Sequence, residues 1–204
     1  LHVRSRRQRQ MCIRDRYFIV EEGIMWNTIL EILKRKAAEG VEVRFMYDGM
    51  CAFDLLPYSY PKKLQKYGIN CKMSNKIRPF VSTIQNNRDH RKITVIDGKV
   101  GFTGGYNLAN EYFNITHPYG HWKDTGIRLE GDAVKSLTVM FLEMWNAVKK
   151  TDQDYQKYLP ETDYQAKQDG FIQPYADSPI DHEHVGEEVY ISMANKAEKY
   201  CWFM

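Results

Sequence analysis

The sequence has no long hydrophobic run. A membrane-spanning helix needs about 18 or more apolar residues in succession, whereas the most apolar stretches here, such as Ile24 to Leu30 and Leu137 to Leu142, are much shorter. Glycine and proline are also sparse, with 13 and 7 residues in a chain of 204, which excludes collagen-like and low-complexity sequences. We therefore predict a folded protein, with no transmembrane segment in the sequence given.

Cysteine is scarce and scattered. Cys12, Cys51, Cys71 and Cys201 are far apart, and no C-x-x-C pair occurs. A zinc site or the disulfide framework of a small secreted domain would need more closely patterned cysteines. The sequence therefore indicates a reducing, cytoplasm-facing environment and predicts no metal centre built on cysteine.

Positive charge is concentrated in an N-terminal segment, Leu1–Arg16. It holds six arginines and one aspartate, so it contributes +5 to a net charge of +3, and the remaining residues carry −2. The segment shows no helical or strand period and no signal-peptide pattern. We interpret residues 1–16 as a non-native or disordered basic tail, with a basic arm for nucleic acid or anionic lipid as the alternative.

The next part of the chain alternates strand and helix patterns. The predicted elements are strand Tyr17–Val20, helix Gly23–Glu39, strand Val41–Tyr47, helix Pro61–Tyr67 and strand Ile69–Met73. Apolar residues recur every three or four positions in the first helix, and Gly40 and Gly68 follow the two helices as stop signals. This rhythm predicts an α/β fold with a largely parallel sheet covered by helices.

The second half begins with a hairpin pattern and ends in a helical one. The predicted elements are strands Lys92–Ile96 and Lys99–Thr103 around the turn dipeptide Asp97-Gly98, strand Trp122–Leu129, helix Asp132–Lys149, helix Glu187–Lys199 and strand Tyr200–Met204. Residues 151–186 are polar and contain three prolines, which indicates a linker or wrapping loop. The predicted domains are therefore 17–150 and the truncated start of a second domain at 187–204.

The most informative residues for chemistry are His90 and Lys92. Residues two apart on a strand share a face, so the imidazole and the ammonium group are predicted to lie side by side. The ammonium neutralises phosphoryl oxygens, and the imidazole attacks phosphorus or transfers a proton near neutral pH. Asn107, just after the pair Gly104-Gly105, is predicted to add an uncharged donor to the same phosphate.

The pattern His90-x-Lys92-x4-Asp97 with Gly104-Gly105-x-Asn107 resembles the HKD motif of the phospholipase D superfamily. Further stretches in the same order resemble bacterial cardiolipin synthases over roughly Tyr17 to Met204. These stretches are residues 21–26, 88–92, 102–107, 121–125 and 177–179. The resemblance implies an α/β/α sandwich with a mixed, largely parallel sheet, and a second similar domain that brings another HKD motif to a shared cleft.

The resemblance also implies roles for individual residues. His90 is expected to form a phosphohistidine intermediate, Lys92 and Asn107 to bind the phosphate, and Asp124 to orient the histidine. Gly105 is assigned to the phosphate-binding loop.

Asp97 completes the motif and is grouped with the catalytic residues. Its place in an Asp-Gly turn favours a structural, hydrogen-bonding role. The histidine acting as acid and then base would come from a second motif, and no second His-x-Lys-x4-Asp pattern occurs in this sequence.

The expected reaction joins two phosphatidylglycerol molecules into cardiolipin and glycerol at the cell membrane, without a metal or other cofactor. The expected partners are membrane lipid and a second HKD domain, or a second copy of this chain. Alternatives are a homodimeric phosphodiesterase or nuclease and a non-catalytic binding fragment; the charge of −2 outside the basic tail argues against nucleic acid. His182 and His184 lack further ligands in register and are interpreted as a solvated loop.

Overall fold

A six-stranded mixed sheet forms the centre of the fold. The computed structural model describes residues 12–76, 89–166, 170–177 and 183–202. The strands are β1 (Cys12–Tyr17), β2 (Glu42–Asp48), β3 (Ile69–Ser74), β4 (Ile93–Ile96), β5 (Val100–Gly104) and β6 (Gly126–Glu130). The helices are α1 (Ile24–Ala38), α2 (Tyr60–Gln65), α3 (Ala133–Val148) and α4 (Val185–Lys196).

The strand order is β3-β2-β1-β4-β5-β6. The pairs β1–β2 and β2–β3 are parallel, whereas β1–β4, β4–β5 and β5–β6 are antiparallel. The predicted α/β fold with a mixed sheet is confirmed, but the parallel part is limited to one half. Because β4 and β6 run against β1, their starting ends lie at the same sheet edge as the carboxyl ends of the other four strands.

Helices cover both faces of the sheet, which makes the three layers of an α/β/α sandwich. On one face α1 and α2 bury Trp26, Leu30 and Tyr60 against β2 and β3. On the other face α3 buries Phe141 and Trp145 against β4 and β6. Burial of these large apolar side chains is the main stabilising contribution to the domain.

The strand β1 corrects the predicted start of the domain at Tyr17. It begins at Cys12, lies between β2 and β4, and buries the side chains of Arg14, Asp15 and Arg16. The prediction missed it because a central strand normally consists of apolar residues. Residues 1–11 lie outside the described residues, and a non-native origin of the N-terminal segment stays a prediction.

The segment predicted as a linker starts with an anchored stretch. Asp152 is buried and receives hydrogen bonds from Arg44 at 2.7 and 3.1 Å and from the Tyr158 hydroxyl at 2.6 Å. Lys72, on β3, donates to the Thr151 hydroxyl at 3.2 Å. Residues 151–158 therefore pack on the domain that ends with α3.

The helix α4 confirms the helical pattern near the end of the sequence. None of its residues is buried, and Tyr190, Ile191 and Met193 are exposed. Residues 200–202 are not in a strand, and 203–204 of the predicted last strand lie outside the described residues. Among the helices of the described residues, none combines the length and the hydrophobicity of a membrane-spanning segment.

Candidate active site

The sequence-predicted residues converge at the sheet edge where β1, β2 and β3 end. His90 and Lys92 come just before β4, and Asp124 comes just before β6. Gly105 and Asn107 come directly after β5, which ends at this edge. The reversed β4 and β6 begin at this edge, and β5, which has the direction of β1, ends there. Five of the six predicted site residues therefore lie at one edge of the sheet.

His90 and Lys92 are in direct contact. The Lys92 Nζ atom lies 2.9 Å from Nδ1 and 3.2 Å from Nε2 of the imidazole, and it donates to the His90 carbonyl oxygen at 2.8 Å. Lys92 is 3% exposed, whereas His90 is exposed to solvent. The Thr103 hydroxyl donates a hydrogen bond to the Lys92 carbonyl oxygen at 2.8 Å. The ammonium is therefore fixed beneath a histidine that substrate can reach.

Burial and charge make this pair a neutral imidazole next to a cation. Burial and the nearby Arg16 charge lower the pKa of Lys92 to about 8. Burial and the charges of Lys92 and Arg16 also lower the pKa of His90 below its usual value of 6.5. At neutral pH the histidine is thus available as a nucleophile, and most of the lysine is protonated.

Phe18 is a site neighbour that sequence reasoning missed. Its ring lies edge-on to the His90 ring at a centroid distance of 4.4 Å, and the Lys92 Nζ is 5.5 Å from its centroid. A phenylalanine after a strand is indistinguishable from a core residue in sequence. Its contact with the site comes from the turn after β1.

Asn107 is buried with its amide oriented by the backbone. The Ile19 N–H donates to Asn107 Oδ1 at 3.0 Å, and the side chain also interacts with the Tyr112 hydroxyl. Because the oxygen is occupied, the amide nitrogen is the group that faces other partners. This orientation suits a donor to phosphate oxygens.

Asp124 is exposed and lies against Gly105. Its Oδ2 accepts from Trp122 Nε1 at 3.0 Å, and its Oδ1 accepts from the Thr125 N–H at 2.8 Å. A Cβ atom at Gly105 would lie 2.4 Å from Oδ1, so a side chain here would displace the Asp124 carboxylate. Burial and Arg16 lower the pKa of Lys92, and the negative charge of the Asp124 carboxylate offsets part of that lowering. Within the described residues it forms no hydrogen bond with His90.

Asp97 lies at the opposite edge of the sheet. It has φ of +55° in the tight turn after β4, its Oδ1 accepts from the Cys12 N–H at 2.6 Å, and its own N–H donates to the Cys12 oxygen at 2.8 Å. The structure therefore does not bring Asp97 together with His90. Its contacts join the hairpin turn to β1.

The donor set at this edge offers an imidazole, an ammonium and an amide. No group of three or more potential metal-ligating side chains occurs among the described residues. His184 directly precedes α4, and His182 lies outside the described ranges. The site as described suits recognition and transfer of a phosphoryl group.

The chain has an α/β fold around a mixed sheet. One edge of that sheet carries a His-x-Lys pair, a Gly-Gly-x-Asn turn and an aspartate, and this combination defines a phospholipase D-like domain. The family model described as "Cardiolipin synthase, PLD-like domain" matches residues 11–145. The chain belongs to this family.

Curated relatives and a solved structure are also similar to the chain. An uncharacterized protein of Streptococcus mutans is 52% identical over 188 residues, which is 92% of this chain and 41% of the relative. A cardiolipin synthase of Alkalihalophilus pseudofirmus is 37% identical over 91% of this chain and 37% of its own length. The structure of NucT from Helicobacter pylori aligns over 66% of this chain and 79% of its own, with 16% identity and a TM-score of 0.47. The chain thus spans about two fifths of the curated relatives.

Proposed function

We propose that this chain supplies the first half of the active site of a phosphatidyltransferase of the cardiolipin synthase type. The observation that carries the proposal is the buried Lys92 ammonium held 2.9 Å from the ring of the exposed His90. The family membership and the relative named cardiolipin synthase support the substrate class. The proposed overall reaction converts two phosphatidylglycerol molecules into cardiolipin and glycerol at a membrane.

In the proposed first step a ring nitrogen of His90 attacks the phosphorus of phosphatidylglycerol. A nitrogen–phosphorus bond forms, the bond from phosphorus to the headgroup glycerol breaks, and glycerol leaves with a proton from a second histidine. In the second step a hydroxyl of another phosphatidylglycerol gives its proton to that histidine and attacks phosphorus. The nitrogen–phosphorus bond then breaks, and cardiolipin is released.

The other site residues have roles in binding and orientation. Lys92 and Asn107 stabilise the charge on the non-bridging oxygens, and the backbone at Gly105 leaves space beside the phosphate. Asp124 orients His90 once substrate is bound. The second histidine comes from another HKD domain or from a second copy of the chain, because this sequence has one such motif.

A chimera tests this proposal. Residues 12–166, which include the central strand β1, replace the matching residues of the A. pseudofirmus cardiolipin synthase. The protein is incubated with phosphatidylglycerol labelled at phosphorus. We expect labelled cardiolipin, and a rapid quench should trap label on His90. His90→Asn should abolish both signals, whereas His117→Asn, in the exposed loop before β6, should retain them.

Two results would contradict the proposal. Label on a residue other than His90 would remove the nucleophile assignment. Cleavage of an oligonucleotide by the unmodified chain, together with a chimera that makes no lipid product, would favour the homodimeric nuclease.

A further inference from the structure

In the loop between β5 and β6, both polar atoms of the Asn114 side chain form hydrogen bonds with the backbone of one other residue. Asn114 has φ of +55°, directly after a 3-10 turn at Asn110–Phe113. Its Nδ2 donates to the Trp122 carbonyl at 2.8 Å, and its Oδ1 accepts from the Trp122 N–H at 2.7 Å. Both ends of the amide therefore fix the backbone of a residue eight positions later.

Trp122, whose backbone Asn114 fixes, contacts residues of the candidate site through its side chain. Its Nε1 donates to Asp124 Oδ2 at 3.0 Å, and its ring lies edge-on to Tyr112 at a centroid distance of 4.7 Å. The Tyr112 hydroxyl in turn interacts with the side chain of Asn107. A continuous set of contacts thus runs from the predicted phosphate-binding amide to the aspartate.

An exposed carboxylate on a loop normally samples several rotamers. Here the indole N–H on one oxygen and the Thr125 N–H on the other favour one arrangement of the Asp124 side chain. In that arrangement the carboxylate lies against Gly105 and acts on the charge of Lys92. Neither Asn114 nor Trp122 contacts Lys92 within the described residues, so their influence on the site passes through Asp124.

We propose that Asn114 and Trp122 are positioning residues, which hold the Asp124 carboxylate beside Gly105 in the candidate site. This inference deepens the proposed function, because the fixed carboxylate belongs to the same phosphate site. It assigns a role to two residues outside the His-Lys-Asn set. Asn114 acts on the backbone of Trp122, and Trp122 acts on the side chain of Asp124.

The titration of Lys92 provides a measurement that a merely structural role would not change. Lysine carbon and nitrogen signals are followed by NMR in the intact chain between pH 6 and 11. The charged or titratable groups that act on Lys92 are Arg16, Asp124, Asp89 and Cys51, along with the contacting imidazole of His90. Asp124→Asn removes one of the negative charges and calibrates its effect, which we expect to lower the Lys92 midpoint by about half a pH unit.

Trp122→Phe keeps an aromatic ring against Tyr112 and removes only the indole donor. Asn114→Gly keeps the left-handed backbone and removes the amide, and it serves as the second variant if the first perturbs folding. We expect each to lower the Lys92 midpoint by at least half of the Asp124→Asn shift. Trp145→Phe is the matched control, since it also removes an indole hydrogen bond, here to Thr151, but in the core beneath α3. It should leave the Lys92 midpoint unchanged.

Two outcomes overturn the inference. If Asp124→Asn shifts Lys92 and both positioning variants do not, Asn114 and Trp122 do not control the carboxylate. If Asp124→Asn has no effect, the carboxylate is not coupled to the lysine. The titration needs no lipid substrate and no second domain, so its failure is separate from a failure of the labelling experiment on the chimera.

Discussion

Arg14 and Arg44 are register partners on the adjacent parallel strands β1 and β2, and their buried side chains differ in hydrogen bonding. Both guanidinium groups lie over the Tyr158 ring, 4.3 and 5.0 Å from its centroid. Arg44 binds Asp152 at 2.7 Å and Glu42 at 2.8 Å. Arg14 Nη1 donates to the Cys12 Sγ atom, but Nε and Nη2 of Arg14 have no hydrogen-bond partner among the described residues. We predict that substitution by leucine has opposite effects at these two positions.

The magnitudes follow from what each substitution leaves behind. Arg44→Leu removes the buried cation of Asp152 and leaves only the exposed Lys157 ammonium, 3.6 Å from Oδ1, so the free energy of unfolding should fall by about 3 kcal/mol. Arg14→Leu removes buried donors that each cost about 1–3 kcal/mol when unpaired. It also loses a cation–π contact worth about 1–2 kcal/mol. The net expectation for Arg14→Leu is a gain of about 1–2 kcal/mol in the free energy of unfolding.

Urea unfolding followed by tryptophan fluorescence and far-UV circular dichroism measures both changes. Arg128→Leu, at an exposed position of β6, is the matched control and should change the free energy of unfolding by less than about 0.5 kcal/mol. Unchanged m-values would show that the denatured state is comparable across the variants. A loss of more than about 1 kcal/mol in Arg14→Leu would refute the argument from unpaired donors.

The pH dependence separates the two variants further. Burial favours the neutral form of Asp152, but the hydrogen bonds from Arg44 and Tyr158 outweigh it and hold the pKa of this carboxyl well below its usual range. A carboxyl with a lowered folded-state pKa stabilises the fold above its unfolded pKa, about 3.9, and this contribution is lost as pH falls toward the folded pKa. The deficit of Arg44→Leu should therefore shrink in acid. The gain of Arg14→Leu should remain.

Three further predictions concern the site and its support. Gly105→Ala places a Cβ 2.4 Å from an Asp124 oxygen, and it should reduce transfer by the chimera about tenfold or more without unfolding it. Gly101→Ala is the control: its Cβ would lie 2.7 Å from Leu137 in the core, so it should lower thermal stability instead. Transfer should decline as pH rises through about 8, where Lys92 loses its proton, and Lys92→Arg should move that alkaline decline to higher pH in a rate profile. Lys72→Met removes an ammonium that binds two carbonyl oxygens at the end of α3, at 2.9 and 2.7 Å, and should cost about 1–2 kcal/mol in urea unfolding.

The helices were predictable because their patterns are local. The apolar spacing around Trp26 and Leu30 predicted α1, and the spacing around Leu137 and Phe141 predicted α3. The tight turn at Asp97-Gly98 predicted the β4–β5 hairpin. Each of these signals lies within one element, where backbone period and turn chemistry determine the structure.

The missed features depend on contacts between distant segments. The strand β1 carries charged residues whose burial depends on neighbours from β2, β4 and the segment after α3. The pair Arg44 and Asp152 is separated by 108 positions, and no local pattern links them. The shared site of His90, Asn107 and Asp124 was expected from the resemblance to the family. The strand–helix rhythm alone did not indicate the antiparallel β4 and β6 on which that shared position depends.

The central place of β1 has a consequence for synthesis of the protein. The second edge of β1 stays unpaired until β4, about 80 residues later in the chain, has been synthesised. During translation, the emerging β3-β2-β1 ribbon therefore carries an open inner edge, which is a template for pairing with other chains. We expect nascent chains that stall between β3 and β4 to aggregate or recruit chaperones, and those that extend beyond β6 to be protected.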